Sequence, residues 1–125
     1  MTEAGKNLIV KTHNELRQRV AAGLETHGNQ PGASNMMKLV WNDEIAATAQ
    51  RWADQCKWGS GHDKVNGKCD GTAVGQNIFE SNGFYTEDQV MASLPYAVKG
   101  WYNEVVQPGG GEIIPFPSSN IQPFK

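Results

Sequence analysis

Apolar residues Ile9, Leu16 and Val20 recur at helical spacing through LIVKTHNELRQRV, with His13 completing the same face, so residues 8–20 are expected to form an amphipathic helix that ends near Gly23. Residues 26–35, THGNQPGASN, have no periodicity and read as a loop. Met36 to Trp41 is short and apolar and ends in β-favouring residues, which predicts an extended segment. The clearest helix is expected from Asp43 to about Lys57: Asn42 can cap it, Asp43 and Glu44 suit its positive end, and Ile45, Ala49, Trp52, Ala53 and Cys56 form one stripe. That stripe is expected to be its buried face. Val74 to Phe79 reads as a second short strand. Thr86 and Gln89 could form a capping box, yet Pro95 should break an interior turn, so the third helix is expected to start at Pro95, with Ala97, Val98, Trp101 and Val105 apolar. Beyond Gln107 the pattern gives way to PGGGEIIPFPSSNIQPFK, which no helix fits.

A chain of 125 residues is expected to form one small domain. Its 11 basic and 13 acidic residues leave a formal charge of −2 without a basic stripe, which argues against nucleic acid as a partner. No apolar run is long enough for a transmembrane segment, and the first residues lack the apolar stretch of a secretory signal. The triple glycine is not followed by a helix start, so it does not read as a phosphate cradle.

The chemistry-bearing stretch is CKWGSGHDKVNGKC, which holds both cysteines, Cys56 and Cys69, with His62 between them. As a zinc site it places five and six residues between successive ligands, where structural zinc sites bring ligands in close pairs. As a nucleophile, Cys56 falls on the stripe of its helix, which suits an inert thiol better than a thiolate. A disulfide fits better than either, closing a loop of about 14 residues worth roughly 3 kcal/mol in the chain-entropy model and implying an oxidising compartment.

Five motifs occur in order: KTHNELR at 11–17, LVWNDE at 39–44, the Cys56…Gly61-His62-Asp63…Cys69 stretch, VGQNI at 74–78 and WYNEV at 101–105. Together they resemble the CAP superfamily of cysteine-rich secretory, antigen 5 and pathogenesis-related class 1 proteins. GLETHGN at 23–29 and the Gly-Gln-Asn-Ile pattern are most like its arthropod antigen 5 branch, the venom and saliva allergens. The resemblance implies an α+β fold, a three-layer α-β-α sandwich around a central antiparallel sheet, in a secreted, disulfide-bonded extracellular protein. It also implies that residues 1–125 are the N-terminal two-thirds of a single CAP domain, the C-terminal strands, a second histidine and further cysteines being missing from this chain.

In that family a cleft holds two histidines and two acidic residues, and divalent metal binding is attributed to the histidines. His62 matches the first histidine and Glu104 the acidic residue of the Trp-Tyr-x-Glu motif, while Gln76 stands where many members have the other glutamate. Zinc at His62 would need a second histidine from beyond Lys125. His13 is expected to be a satisfied core histidine, and Trp41, Trp52 and Trp101 core aromatics. The apolar tail residues Ile113, Ile114, Phe116, Ile121 and Phe124 read as core contacts of missing strands. The sequence carries no complete catalytic machine, so the expected function is a non-enzymatic, antigen 5-like protein that binds a ligand or host protein. The alternatives are a carrier of sterol or fatty acid and a CAP-type protease using His62 as base with Glu104.

Overall fold

The structure, a computed structural model, describes residues 1–28, 30–57, 59, 61–63, 68–69, 71–83 and 86–106, with the side chains of 68, 69 and 73 outside it. Trp58 and the tail from 107 onward, including the triple glycine and the apolar residues after it, lie outside the described residues.

Helix α1 spans Glu3–Ala21, starting earlier than its apolar spacing suggests because Thr2 caps it, accepting the Gly5 amide at 3.2 Å. It ends as expected: Gly23, at φ 68°, donates to the Val20 carbonyl and Leu24 donates to Arg19, a Schellman closure that needs the left-handed region. Helix α2 spans Asp43–Ala53 and is capped by Asn42, whose Oδ1 accepts the Ile45 amide at 3.0 Å. Helix α3 spans Glu87–Tyr102 and runs on into a 3-10 turn over Asn103–Val106. Pro95 lies inside α3, which corrects the expected start at that residue. The reason is local: Thr86 and Gln89 close a full capping box at 3.2 and 3.1 Å, and Glu87 and Asp88 fill the first turn, so the helix is nucleated upstream of the proline.

Helix α1 packs along α3. The two helices meet at buried Gly5, where a Cβ would meet Met91 Sδ at 3.2 Å and Leu94 Cδ1 at 3.3 Å. Val98 of α3, 3 % exposed, is the buried apolar side chain among the described residues. The α1 and α2 N-termini are tied by Lys6, which reaches Glu3 at 2.8 Å and Asp43 at 3.1 Å while lying over the Trp41 ring.

Strands β1 (Lys68–Cys69) and β2 (Thr72–Ala73) pair antiparallel, Lys68 opposite Ala73, and Gly71 at φ 73° permits the tight connection. Strand β1 lies against α2. Residues 36–41 and 74–79, expected as strands, form no ladder among the described residues, where the β1–β2 hairpin is the one sheet. The segment from Met36 to Trp41 is held by side chains: Asn14 bonds both the amide and carbonyl of Leu39, and Arg17 bonds the Met37 carbonyl twice.

The apolar stripe of α2 also departs from expectation. Ile45 is 39 % exposed, Ala49, Ala53 and Cys56 are exposed, and the buried position is Thr48, bonded to the Glu44 carbonyl and Arg51. No described element covers that stripe; β1 touches the helix only locally. Nor are the tryptophans deep in a core: Trp41, Trp52 and Trp101 are half-buried, each with its indole N–H bonded, to Asp43, the Gly61 carbonyl and the Ile78 carbonyl respectively.

A cleft between the His62 loop and the end of helix α3

The C-terminal turn of α3 and the turn after it carry Trp101 and Glu104, which are three residues apart and so project to one side. The chain before α3 lies opposite. Trp101 Nε1 donates to the Ile78 carbonyl at 3.0 Å, fastening residues 76–78 to the helix end, and Gln76 Oε1 accepts the Asp63 amide at 2.7 Å, fastening the His62 loop to the same segment. The result is a cavity of about 350 Å³ lined by His62, Gln76, Asn77, Ile78, Trp101 and Glu104.

The structure thus brings His62, Gln76 and Glu104 to one cavity. Its apolar side is Ile78 and the Trp101 ring, and its polar side is an imidazole, two amides and a carboxylate. The Gln76 carbonyl and the Trp101 N–H are engaged in holding the walls together. His62 and Glu104 are exposed and take part in no described hydrogen bond, which leaves both side chains able to contact a bound molecule. Asn77, Ile78 and Trp101 extend the site beyond the residues that sequence reasoning selected. The signal for Trp101 was its helical spacing from Glu104.

One imidazole and one carboxylate do not make a tight zinc site, which takes four ligands. Among the described residues no group of three or more His, Cys, Asp or Glu side chains gathers in an arrangement that could hold a metal ion. The donor set among the described residues therefore does not fit zinc. Cys56 sits exposed just beyond α2 at φ 51° and has no disulfide partner among the described residues, while the Cys69 side chain lies outside them.

His13 stands apart from the cavity polar groups. Its Nδ1 is 2.9 Å from the Ile9 carbonyl and its ring lies 6.1 Å from that of Trp101, so it backs the tryptophan as a satisfied, half-buried histidine.

Behind the same helix end lies Glu25, which sequence reasoning met only within the GLETHGN stretch and gave no role, because its partner Tyr102 is 77 residues away. Its side chain is 3 % exposed and accepts from the His27 amide at 2.9 Å, His27 Nδ1 at 2.7 Å, Arg19 Nε at 3.3 Å and the Tyr102 hydroxyl. The Tyr102 hydroxyl above all, then His27, holds the Glu25 carboxyl far below the usual carboxylate range. Burial, reinforced by Glu25, pushes the Tyr102 phenol up to about 12.

The sequence comparisons agree with one another. Residues 10–111 match the cysteine-rich secretory protein (CAP) family. The chain is 49 % identical over 111 residues to venom allergen 5 of Dolichovespula arenaria, covering 84 % of this chain and 50 % of the relative. It is 51 % identical over 110 residues to venom allergen 5 of Polistes fuscatus, covering 83 % and 49 %. It is 55 % identical over 111 residues to venom allergen 5 of Polybia scutellaris rioplatensis, covering 84 % and 49 %. The chain spans about half the length of these curated relatives. No solved structure matches it. With a family match that runs from α1 past α3 and takes in every motif around the cleft, the chain belongs to the cysteine-rich secretory protein (CAP) family.

Proposed function

We propose that this chain is a secreted, antigen 5-type CAP protein that acts by binding through the His62–Glu104 cleft, without turnover. Secretion and the antigen 5 type are supported by its likeness to the venom allergen 5 proteins, and the three-layer sandwich fold goes with that family. The observation that carries the binding role is the division of labour in the cavity. Gln76 and Trp101 are engaged in holding the walls, while His62 and Glu104 face outward beside an apolar indole and Ile78. A cavity of about 350 Å³ is at the small end of ligand pockets, roughly 300–1,000 Å³, so it suits a short amphipathic group better than an enclosed sterol. A carboxylate beside an indole favours a group that is apolar with a cationic end, whether a free alkylammonium or a basic side chain of a host protein. The protease alternative has less support, because His62 and Glu104 share no hydrogen bond and no nucleophile accompanies them among the lining residues.

Tryptophan fluorescence titration of the chain with hexylamine tests this, with palmitate and cholesterol as comparison ligands. Saturable hexylamine binding, weakened about tenfold in Glu104→Gln as expected for loss of a charged contact, is the predicted result. Tighter binding of cholesterol or palmitate would favour the carrier role. Casein hydrolysis abolished by His62→Ala would replace the binding role with catalysis.

A further inference from the structure

We infer that Glu25 is a positioning residue for the cleft: its buried carboxylate locks the last turn of α3 so that Trp101 and Glu104 form the cavity wall. The inference rests on the cleft being the functional site.

Glu25 is the buried acidic side chain among the described residues, and its carboxylate receives four donors. An ionised carboxylate offers about four acceptor positions, so none is left for a ligand. This is a joint, not a binding site. The donors come from three places: Arg19 in the last turn of α1, His27 in the loop that follows, and Tyr102 at the end of α3. These are also the charged and titratable groups the carboxylate faces.

Tyr102 is next in sequence to Trp101 and two residues before Glu104. Successive helical residues point about 100° apart, so a turn that aims Tyr102 at Glu25 aims Trp101 elsewhere, onto the Ile78 carbonyl and the cavity. Fixing the first direction fixes the second. Without the Glu25 anchor, the described contacts at the helix end are the Trp101–Ile78 bond, the His13 ring against Trp101 and the packing of α3 on α1. None of these fixes the direction of Tyr102, so the rotation of the last turn is less constrained. Because Arg19 and His27 hold the same carboxylate from the α1 side, the wall is referenced to α1, which backs Trp101 through the His13 ring.

The test is the tryptophan indole N–H region of the ¹H–¹⁵N spectrum of the whole chain, for the parent, Glu25→Gln and Tyr102→Phe. The amide variant keeps the shape of Glu25 but turns a donor toward Tyr102 or His27; the phenylalanine variant removes only the α3 donor. In both, the Trp101 indole signal is expected to shift and its hydrogen exchange to accelerate by about tenfold or more, while the Trp41 and Trp52 signals hold. Hexylamine binding should weaken in parallel. An unmoved Trp101 signal in Tyr102→Phe, or loss of protection at Trp41 and Trp52 equal to that at Trp101, would overturn the positioning role. If Glu25→Gln does not fold, Tyr102→Phe decides alone. Failure of the parent to bind hexylamine would count against the cleft as a site for this ligand, yet the Trp101 signal would still report whether Glu25 sets the wall.

Discussion

A single amide on α1 stands in for a neighbouring strand: Asn14 donates to the Leu39 carbonyl at 2.9 Å and accepts the Leu39 amide at 2.8 Å. Only a side chain with both a donor and an acceptor can do this. Asn14→Ala should cost about 1–2 kcal/mol, since two exposed bonds are each worth roughly 0.5–1.5 kcal/mol net. Asn14→Asp should cost more near pH 7, where a carboxylate faces a carbonyl, than near about pH 3, where the carboxyl can donate. Urea unfolding at both pH values checks this, and equal costs at the two would remove the donor from the account. Glu25 makes a second residue-level case, with the sign set by its depressed pKa. Its stabilisation is whole above the ordinary carboxyl value of 4.5 and is withdrawn as pH falls from there toward the folded value. Tyr102, raised from 10.0 to about 12, adds stability that is whole below pH 10.0 and fades between the two. Glu25→Gln should therefore unfold at lower urea than the parent at neutral pH and converge with it in acid. A constant gap from neutral pH into acid would deny the ionised Glu25 its role.

At the level of the element, α3 shows two local signals in competition and which one prevails. Pro95 lacks the N–H that would bond the Met91 carbonyl and should interrupt the helix. The Thr86–Gln89 box and the acidic first turn start it regardless, and Val98 is buried beyond the proline. Thr86→Ala should cost about 1 kcal/mol, the usual loss for a helix N-cap. Thermal unfolding followed by circular dichroism measures it, and an unchanged midpoint would mean that packing against α1 alone sets the start. The example also shows what was legible in the sequence. Caps that depend on one side chain and its next turn, Asn42 and Gly23, could be read directly, as could the helices they bound. The relative strength of a cap and a breaker could not, because both signals stand in the sequence and only the folded helix shows the cap starting it upstream of the proline. His62, Gln76 and Glu104 were legible through the family motifs, whereas Ile78 and Asn77 join the cavity through contacts made across more than twenty residues of chain. Glu25 was invisible for the same reason, its main partner Tyr102 being 77 residues away.

Across the whole molecule, burial is thin where it is described. Val98 is the buried apolar side chain there, while Leu39, Val40 and Ile45 are 42 %, 83 % and 39 % exposed. With so little apolar burial among the described residues, a covalent tie would add stability that packing there does not supply. The expected pairing of Cys56, free among the described residues, with Cys69 would be such a tie: Cys56 follows α2, and β1, which contains Cys69, lies against that helix. Closing the loop of about 14 residues would contribute roughly 3 kcal/mol in the chain-entropy model. It would also shorten the excursions of His62, which lies inside the loop and is held to the cleft through the adjacent Asp63 amide on Gln76. Two consequences separate a bridged chain from a dithiol. The chain oxidised and then alkylated without reduction should show no added mass, and two adducts would deny the bridge. Reduction should lower the unfolding midpoint and weaken hexylamine binding together, because the same bond restrains both the fold and the His62 side of the cavity. If reduction lowers the midpoint and leaves binding intact, the bridge supports the fold alone, and the short bond between Asp63 and Gln76 is sufficient to place His62.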